Sequence, residues 1–131
     1  MNRKEKIFGI ILALENYTNF FNQNKELIEQ ISKDFQKIYI INVINLKFRT
    51  KVNKIKNKDL FPKNFEVITF SNSNHFLNFF KDKELIALQF LSKNPDFFKI
   101  FYLIKLAKIR NIMIMNLGNF GNKQTPNFNL N

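Results

Sequence analysis

The feature that most constrains this sequence is an apolar run, Ile7–Leu14, that passes directly into a polar segment and then into a helical pattern. An almost continuously apolar run of this length is typical of a strand covered on both faces, as in a parallel sheet. Apolar residues then recur on one helical face from Phe20 to Phe35, with Asn16 or Thr18 as the predicted cap. The chain is therefore expected to begin with a strand and a crossover helix.

The same alternation continues along the chain. Further helices are predicted at 76–80 and 97–109, and further strands at 37–46, 65–70, 85–91 and 111–117. The start of the last helix is marked by Asn94-Pro95-Asp96, which combines a capping side chain, a proline at the first helical position and an acid in the first turn. We predict an α/β fold with one doubly wound, mostly parallel five-stranded sheet and helices on both faces, which is a Rossmann-like architecture.

The length of 131 residues suits one domain with a substantial core. We predict a Rossmann-like domain over 1–117, interrupted by a long basic connection at 47–64. The segment 118–131 is expected to be a Gly/Asn-rich loop or a truncated continuation. The chain has no cysteine, which excludes disulfides, thiol nucleophiles and Cys-based metal sites and fits a cytoplasmic protein.

The amino terminus is basic and then apolar, a pattern that a signal peptide shares. Glu15 follows the apolar run at once, and no small-residue cleavage site is present, so we do not predict a signal peptide. No apolar run approaches the roughly 18 residues that a membrane-spanning helix needs.

The formal charge of +11 would ordinarily indicate nucleic acid or an anionic membrane as a partner. Asn, Lys, Ile and Phe supply 73 of the 131 residues, and all four have A/T-rich codons, so nucleotide bias accounts for much of the lysine. Only 3 arginines are present, although phosphate and base recognition favours the guanidinium group. Nucleic acid is therefore the less favoured partner. Over half of the excess charge lies in the connection, which carries one acid, Asp59, and seven basic residues: Lys47, Arg49, Lys51, Lys54, Lys56, Lys58 and Lys63.

In an open parallel sheet, ligands bind beyond the carboxyl ends of the strands, which here directs attention to the loops 15–18, 92–95 and 116–121. The first of these loops contains no glycine, so it lacks the dinucleotide fingerprint, and no phosphate-binding loop motif occurs elsewhere. Glu15 is a candidate general base or ligand for a substrate hydroxyl; the alternative is a solvated acid at a strand end. The third loop holds two of the chain's 3 glycines, which indicates either a plain turn or a close approach of ligand.

His75 is the only histidine, and it lies at a predicted helix start without an HxxxH or HxE partner. A capping or surface role is favoured over a metal site or a catalytic triad. No metal site is predicted.

Three segments together resemble the N-terminal half of two-Rossmann-domain, GT-B-type glycosyltransferases, in particular those of bacterial surface-carbohydrate biosynthesis. These segments are IFGIILALENYTNF at 7–20, LSKNPDFFKIFYLIKL at 91–106 and IMIMNLGNFGN at 112–122. The resemblance implies an acceptor-binding domain that is inactive alone and contains no cofactor. It also implies that the nucleotide-sugar donor is held on a missing C-terminal domain.

The resemblance implies Glu15 as the general base, with His75 in reserve. Substrate contacts would come from Asn16, Tyr17, Asn116, Gly118, Asn119 and Gly121. The acceptor would be a glycan or a lipid-linked glycan, with the protein in the cytoplasm or peripheral at the inner face of the membrane. An anionic membrane would be met by Lys47, Arg49, Lys51, Lys54, Lys56, Lys58, Lys105, Lys108 and Arg110.

Two other function classes stay open at this point. One is a stand-alone flavodoxin-like binding module, and the other is a nucleic-acid-binding domain that acts through the basic connection. A membrane-surface role for the apolar helix at 97–109 is less favoured than a buried crossover, because its apolar surface extends around the whole circumference.

Overall fold

The computed structural model describes residues 4–47 and 50–113, with the backbone alone for 111–113. The helices are α1 (Thr18–Gln23), α2 (Lys25–Asp34), α3 (Ser73–Phe79) and α4 (Phe98–Leu106). The strands are β1 (Glu5–Leu12), β2 (Ile38–Asn42), β3 (Phe65–Thr69), β4 (Lys83–Gln89) and β5 (Arg110–Met113).

The strands form one sheet in the order β3-β2-β1-β4-β5, and every neighbouring pair is parallel. The central strand is β1, where Gly9 lies opposite Tyr39 of β2 and Ala87 of β4. The prediction of an α/β fold with a parallel sheet and flanking helices is confirmed.

Successive side chains of the central strands point to opposite faces of the sheet, so they belong to two separate core layers. On one face, Ile11 and Ala87 pack with Phe76 of α3 and Ile100 of α4. On the other face, Ile10 and Ile40 pack with the buried apolar side chains of α1 and α2, which are Phe20, Leu27, Ile28 and Ile31. Helices therefore cover both faces of the sheet.

The first crossover differs from the single helix predicted across 20–35. It is split at Asn24, whose φ of −123° is not helical and whose Nδ2 donates to the carbonyl oxygen of Phe20 at 2.9 Å. That side-chain bond competes with the continuing backbone ladder, which is why an asparagine favours a break. The strand predicted at 37–46 is also shorter, because β2 ends at Asn42 and a 3₁₀ turn, Ile44–Leu46, follows.

The last helix begins with the expected cap: Asn94 Oδ1 accepts from the backbone N–H of Asp96 at 2.9 Å, and the 3₁₀ turn Pro95–Phe97 leads into α4. The expected crossover helix is present between β4 and β5, but α4 is buried on one side only, at Ile100, Leu103 and Ile104. Its outer side chains are exposed by 64% at Phe98, 59% at Tyr102 and 50% at Leu106. Within residues 4–47 and 50–113, no helix is long and apolar enough to cross a bilayer.

The strand predicted at 111–117 is present over Arg110–Met113. The rest of it lies outside the described residues, as does the predicted segment 118–131.

Candidate functional site at the carboxyl edge of the sheet

The direction in which the chain crosses the sheet reverses between β1 and β4. Strands β2 and β3 are added on one side of β1, and β4 and β5 on the other. The two central strands stay paired to their carboxyl ends, where the N–H of Phe90 donates to the carbonyl oxygen of Ile11 at 2.9 Å. Open α/β sheets bind ligands beyond such a reversal. The loops 13–17 and 90–94 therefore frame the candidate site.

The loop after β1 is held by Asn42, a fully buried residue at the end of β2. Asn42 Oδ1 accepts from the N–H groups of Leu14 at 3.2 Å and Ile44 at 3.1 Å. Asn42 Nδ2 donates to the carbonyl oxygen of Leu14 at 2.8 Å and to the hydroxyl of Tyr17 at 2.7 Å. Two bonds to the oxygen and two from the amide group use the capacity of this side chain. One buried amide thus fixes where the loop leaves the sheet.

Tyr17, a predicted substrate contact, is fully buried. Its ring packs edge-on against Phe61, with 5.3 Å between the ring centroids. Burial raises the pKa of Tyr17 to about 12, and the hydrogen bond from Asn42 opposes part of that rise. In this structure the side chain therefore stabilises the loop and does not face solvent.

The basic connection docks on the same loop. Residues Asn16 and Lys56 form an isolated parallel bridge, in which the N–H of Lys56 donates to the carbonyl oxygen of Glu15 at 2.9 Å. The N–H of Tyr17 completes the bridge by donating to the carbonyl oxygen of Lys56 at 3.1 Å. The connection, predicted as a long basic segment, is therefore a structural wall of the candidate site.

Asn16, also a predicted substrate contact, has its side-chain oxygen engaged within the chain. This oxygen accepts from Thr18 N at 2.9 Å, from Thr18 Oγ1 at 2.8 Å and from Asn57 Nδ2 at 2.9 Å. Asn57 holds the left-handed backbone conformation, with φ of 66°, and its Nδ2 also reaches Thr18 Oγ1 at 2.8 Å. The Nδ2 group of Asn16 is the part of this exposed side chain that a ligand would meet.

Glu15 is exposed beside this bridge and leaves the sheet at the same edge as the loop after β4. In that second loop, Ser92 and Lys93 are exposed, whereas Asn94 uses its oxygen to cap the turn into α4. The edge between β1 and β4 therefore offers a carboxylate, a hydroxyl, an amide and an ammonium group. Such groups bind hydroxyl-rich or weakly anionic molecules.

His75 does not join Glu15. It follows β3, and β2 lies between β3 and β1, so adjacent-strand spacing separates the two by about 10 Å across the sheet. The exposed ring stacks edge-on against Phe70, and its Nδ1 lies 3.4 Å from the N–H of Ser71, at the start of α3. The backbone N–H of His75 donates to the capping Oδ1 of Asn72 at 2.8 Å. The expectation of a capping-region histidine at the surface is confirmed.

Gln89, which ends β4, was not singled out by the sequence reasoning. It is fully buried; its Oε1 accepts a short bond from the N–H of Leu91, and its Nε2 has no hydrogen-bond partner among the described residues. The only signal for Gln89 and for Asn42 is a polar residue near the end of an otherwise apolar strand run. Both lie beside the reversal in strand order, where they orient the loops that frame the site.

The predicted basic surface divides into separate places. Lys51, Lys54, Lys56 and Lys58 are exposed on the connection, near the loop after β1. Lys47 instead packs toward the start of α4, with its Nζ 5.3 Å from the centroid of the Phe97 ring. Lys105, Lys108 and Arg110 are exposed at the far end of α4 and the start of β5. Arg49, Asn116, Gly118, Asn119 and Gly121 lie outside the described residues.

No group of three or more His, Cys, Asp or Glu side chains within residues 4–47 and 50–113 is arranged to hold a metal ion. Two cavities, of about 440 and 300 Å³, lie at the opposite, amino edge of the sheet. The candidate site thus rests on strand topology and loop chemistry, not on either cavity. Comparisons with protein-family models, with curated proteins and with solved structures gave no match.

Proposed function

We propose that this chain is the Rossmann-like, acceptor-binding domain of a GT-B-type glycosyltransferase that acts in surface polysaccharide or lipid-linked glycan synthesis. The observation that carries the proposal is the reversal of strand order between β1 and β4, with Glu15 exposed at its edge. The order β3-β2-β1-β4-β5 agrees with the 3-2-1-4-5 part of the Rossmann arrangement. Flavodoxin-like sheets run 2-1-3-4-5, so the order favours the glycosyltransferase proposal over a flavodoxin-like module.

Glu15 is the proposed general base. As an acceptor hydroxyl oxygen forms its bond to the anomeric carbon of the donor sugar, the bond from that carbon to the nucleotide phosphate breaks. The hydroxyl proton passes to the Glu15 carboxylate. In this proposal the donor and the groups that stabilise the departing phosphate lie on a second Rossmann-like domain. The chain alone is therefore expected to bind an acceptor without transferring sugar.

Asn16 supplies the sharpest test of acceptor binding, because its oxygen holds the loop whereas its Nδ2 group is left for a ligand. Asn16→Asp keeps the accepting oxygens and removes the Nδ2 donor. The matched control is Asn22→Asp, which makes the same charge change at an exposed position of α1. The probe is a glycan array incubated with the fluorescently labelled full chain.

We expect the wild-type chain and Asn22→Asp to retain the same glycans, and Asn16→Asp to lose about tenfold in retention. Equal retention by both variants, or no glycan retained by the wild-type chain, would contradict the proposal. In a two-domain enzyme carrying this domain, Glu15→Gln should lower kcat by about 10²–10⁴-fold while acceptor binding persists.

A nucleic-acid-binding domain is the second candidate, and it is favoured only by the exposed lysines of the connection. Base stacking would need exposed aromatic rings. In the described part of the connection the aromatic side chain is Phe61, which is buried among Tyr17, Phe20 and Phe65. A mobility shift of labelled single-stranded RNA at low salt, lost on Lys54→Gln and Lys58→Gln together, would support this candidate instead.

Peripheral contact with an anionic membrane is a further part of the proposal, and α4 supports it. Phe98, Tyr102 and Leu106 repeat every four residues and form the apolar stripe of α4. Lys99 and Lys105 are exposed on the two borders of this stripe. Aromatic and leucine side chains bordered by lysines are typical of helices that lie in a bilayer surface.

Sedimentation with vesicles tests this contact. Phe98→Ser with Leu106→Ser should reduce binding to vesicles that contain phosphatidylglycerol. A control that introduces serine at an exposed polar position of α3, Asn78→Ser, should not. Equal sedimentation of the two variants would contradict a membrane role for the stripe.

A further inference from the structure

A second polar feature lies at the amino edge of the sheet, on the side opposite the candidate site. A cavity of about 300 Å³ is lined there by Lys4, Lys83, Glu84, Ala107, Lys108 and Arg110. We call this cavity the basic hollow. Its volume is at the lower end of the roughly 300–1,000 Å³ found for small-molecule sites. Four cations face one carboxylate in its lining, so the hollow favours an anion.

The four cations come from different parts of the chain. Lys4 precedes β1, Lys83 begins β4, Lys108 follows α4 and Arg110 begins β5. The parallel sheet brings the amino ends of β1, β4 and β5 together, and the crossover through α4 delivers Lys108 to the same edge. The cluster is therefore a consequence of the fold and not of one charged segment.

Three of these cations are not committed elsewhere in the described chain. Lys83 is partly neutralised, because its Nζ lies 3.1 Å from Asp82 Oδ1 and 4.4 Å from the centroid of the Phe79 ring. Lys4, Lys108 and Arg110 have no ion-pair partner among the described residues. The hollow consequently keeps a net positive charge after its internal pairing.

The backbone of Lys108 is unusual for a lysine. Its φ is 57°, in the left-handed region, and the N–H groups of Lys108 and Ile109 donate to the carbonyl oxygens of Lys105 and Ile104 at 3.1 and 3.2 Å. This is the Schellman ending of a helix, in which the left-handed position usually holds glycine. A side chain is held there against backbone preference, and that side chain lines the hollow.

The dipole of α4 accounts for only part of the positive charge of the basic hollow. Cations near a helix carboxyl terminus are stabilised by the negative end of the dipole, which explains Lys105 and Lys108. Lys4 and Lys83 belong to other elements, and Arg110 begins the next strand. The dipole therefore does not explain why all four cations meet at this edge.

We propose that the basic hollow binds a phosphate group. Arg110 offers the planar donor fork that suits phosphate oxygens, and the lysines add point charges around it. Such a group is carried either by a soluble pyrophosphate or phosphate ester, or by a lipid headgroup. The lipid source is relevant because Leu106, the last residue of the apolar stripe of α4, immediately precedes Ala107 in the lining. This site is separate from the acceptor edge and does not depend on acceptor binding; its lipid source alone rests on the membrane contact proposed for α4.

Two binding measurements on the full chain distinguish the sources. The soluble arm is isothermal titration calorimetry with sodium pyrophosphate at low ionic strength. The lipid arm is sedimentation with vesicles of phosphatidylcholine alone or mixed with phosphatidylglycerol. Both arms use Arg110→Gln and Lys108→Gly, with Lys33→Gln as a control that removes one exposed cation from α2.

We expect Arg110→Gln and Lys108→Gly each to weaken binding about tenfold, and Lys33→Gln to leave it unchanged. Glu84→Gln should strengthen binding, because it removes the carboxylate of the hollow. Lys108→Gly should at the same time raise the unfolding midpoint, since glycine suits the left-handed position. If Lys108 acted only in folding, Lys108→Gly would not weaken anion binding.

If these effects are seen with pyrophosphate, the ligand is a soluble phosphate. If they are seen only with vesicles that contain phosphatidylglycerol, the ligand is a lipid headgroup. Binding in neither arm, or equal weakening by Arg110→Gln and Lys33→Gln, would overturn the proposal. The glycan array with Asn16→Asp reports on the acceptor edge independently of both results.

Discussion

The side-chain amide of Asn42 donates to the hydroxyl of Tyr17 at 2.7 Å, and both residues are completely buried. Asn42 ends β2, whereas Tyr17 is the last residue before α1. This bond therefore joins the carboxyl end of one strand to the loop that follows its neighbour. It fixes the backbone from which Glu15 and Asn16 project, and so the geometry of the candidate site depends on a residue outside that loop.

Asn42→Ala is expected to destabilise the protein by about 3–4 kcal/mol. The substitution leaves the N–H groups of Leu14 and Ile44 and the carbonyl oxygen of Leu14 without their partner in a buried region. The free energy of unfolding is measured by urea denaturation. The exposed control Asn22→Ala should change it by less than about 0.5 kcal/mol. A small effect of Asn42→Ala would mean that the loop is held by other contacts.

The raised pKa of Tyr17 predicts a loss of stability at high pH. Its pKa is about 12 in the folded protein and 10.0 ordinarily, so the phenol is neutral in both states below pH 10 and its contribution is fully present there. As the pH rises from about 10 to about 12, the unfolded chain ionises and the folded chain does not. The contribution of roughly 2–3 kcal/mol is therefore lost across this window.

The measurement is the urea midpoint between pH 8 and pH 11.5 for the wild-type chain and for Tyr17→Phe. The informative quantity is the difference between the two proteins, because it isolates the contribution of Tyr17. Tyr17→Phe should be less stable by about 1 kcal/mol at pH 8 through loss of the bond to Asn42. That deficit should shrink as the pH rises. A constant deficit would show that Tyr17 does not titrate in a buried site.

Much of the fold was predictable because buried apolar residues recur in the sequence with the spacing of the helix or strand that contains them. The apolar runs located β1, β2 and β4, and the Asn94-Pro95 pair located the capped 3₁₀ turn that leads into α4. The break at Asn24 was missed, because it depends on a side-chain bond and neither proline nor glycine marks it. Periodicity also could not tell that α4 would bury one side only, since both sides are apolar.

The candidate site was predictable only in outline. The loop after β1 was identified correctly as a strand end, but the bond from Asn57 to Asn16 spans 41 residues and no local pattern reaches that far. The burial of Tyr17 follows from a partner on β2 and a ring, Phe61, on the connection. Such long-range pairings are decided by packing, so the sequence supplied the residue types but not their contacts.

Gly9→Ala is expected to destabilise the protein by about 1–3 kcal/mol. A Cβ at Gly9 would lie 2.9 Å from both Ile41 Cδ1 and the carbonyl oxygen of Tyr39. The isoleucine can turn away, but the carbonyl belongs to the neighbouring strand β2. Replacing a glycine in a strand usually stabilises a protein by about 0.5–1 kcal/mol, which is less than the expected cost of this steric overlap. Urea denaturation measures the change, with the exposed Asn78→Ala of α3 as control; a stabilised Gly9→Ala would mean that β1 and β2 separate readily at this point.

The docking of the basic connection depends on Asn57, and two substitutions separate its backbone role from its side-chain role. Asn57→Gly keeps the left-handed φ of 66° and loses the bonds to Asn16 and Thr18. Asn57→Ala loses the same bonds and adds a side chain that resists this conformation. We expect the alanine variant to be less stable than the glycine variant by about 1 kcal/mol.

Both Asn57 variants should be cleaved faster than the wild-type chain in limited proteolysis at Lys54, Lys56 or Lys58, because the bridge to Asn16 opens more often. The exposed control Asn53→Ala, four residues earlier in the same connection, should be cleaved at the wild-type rate. Equal cleavage of all four proteins would mean that the bridge between Asn16 and Lys56 holds without Asn57. The wall of the candidate site would then rest on that backbone bridge and on the burial of Phe61.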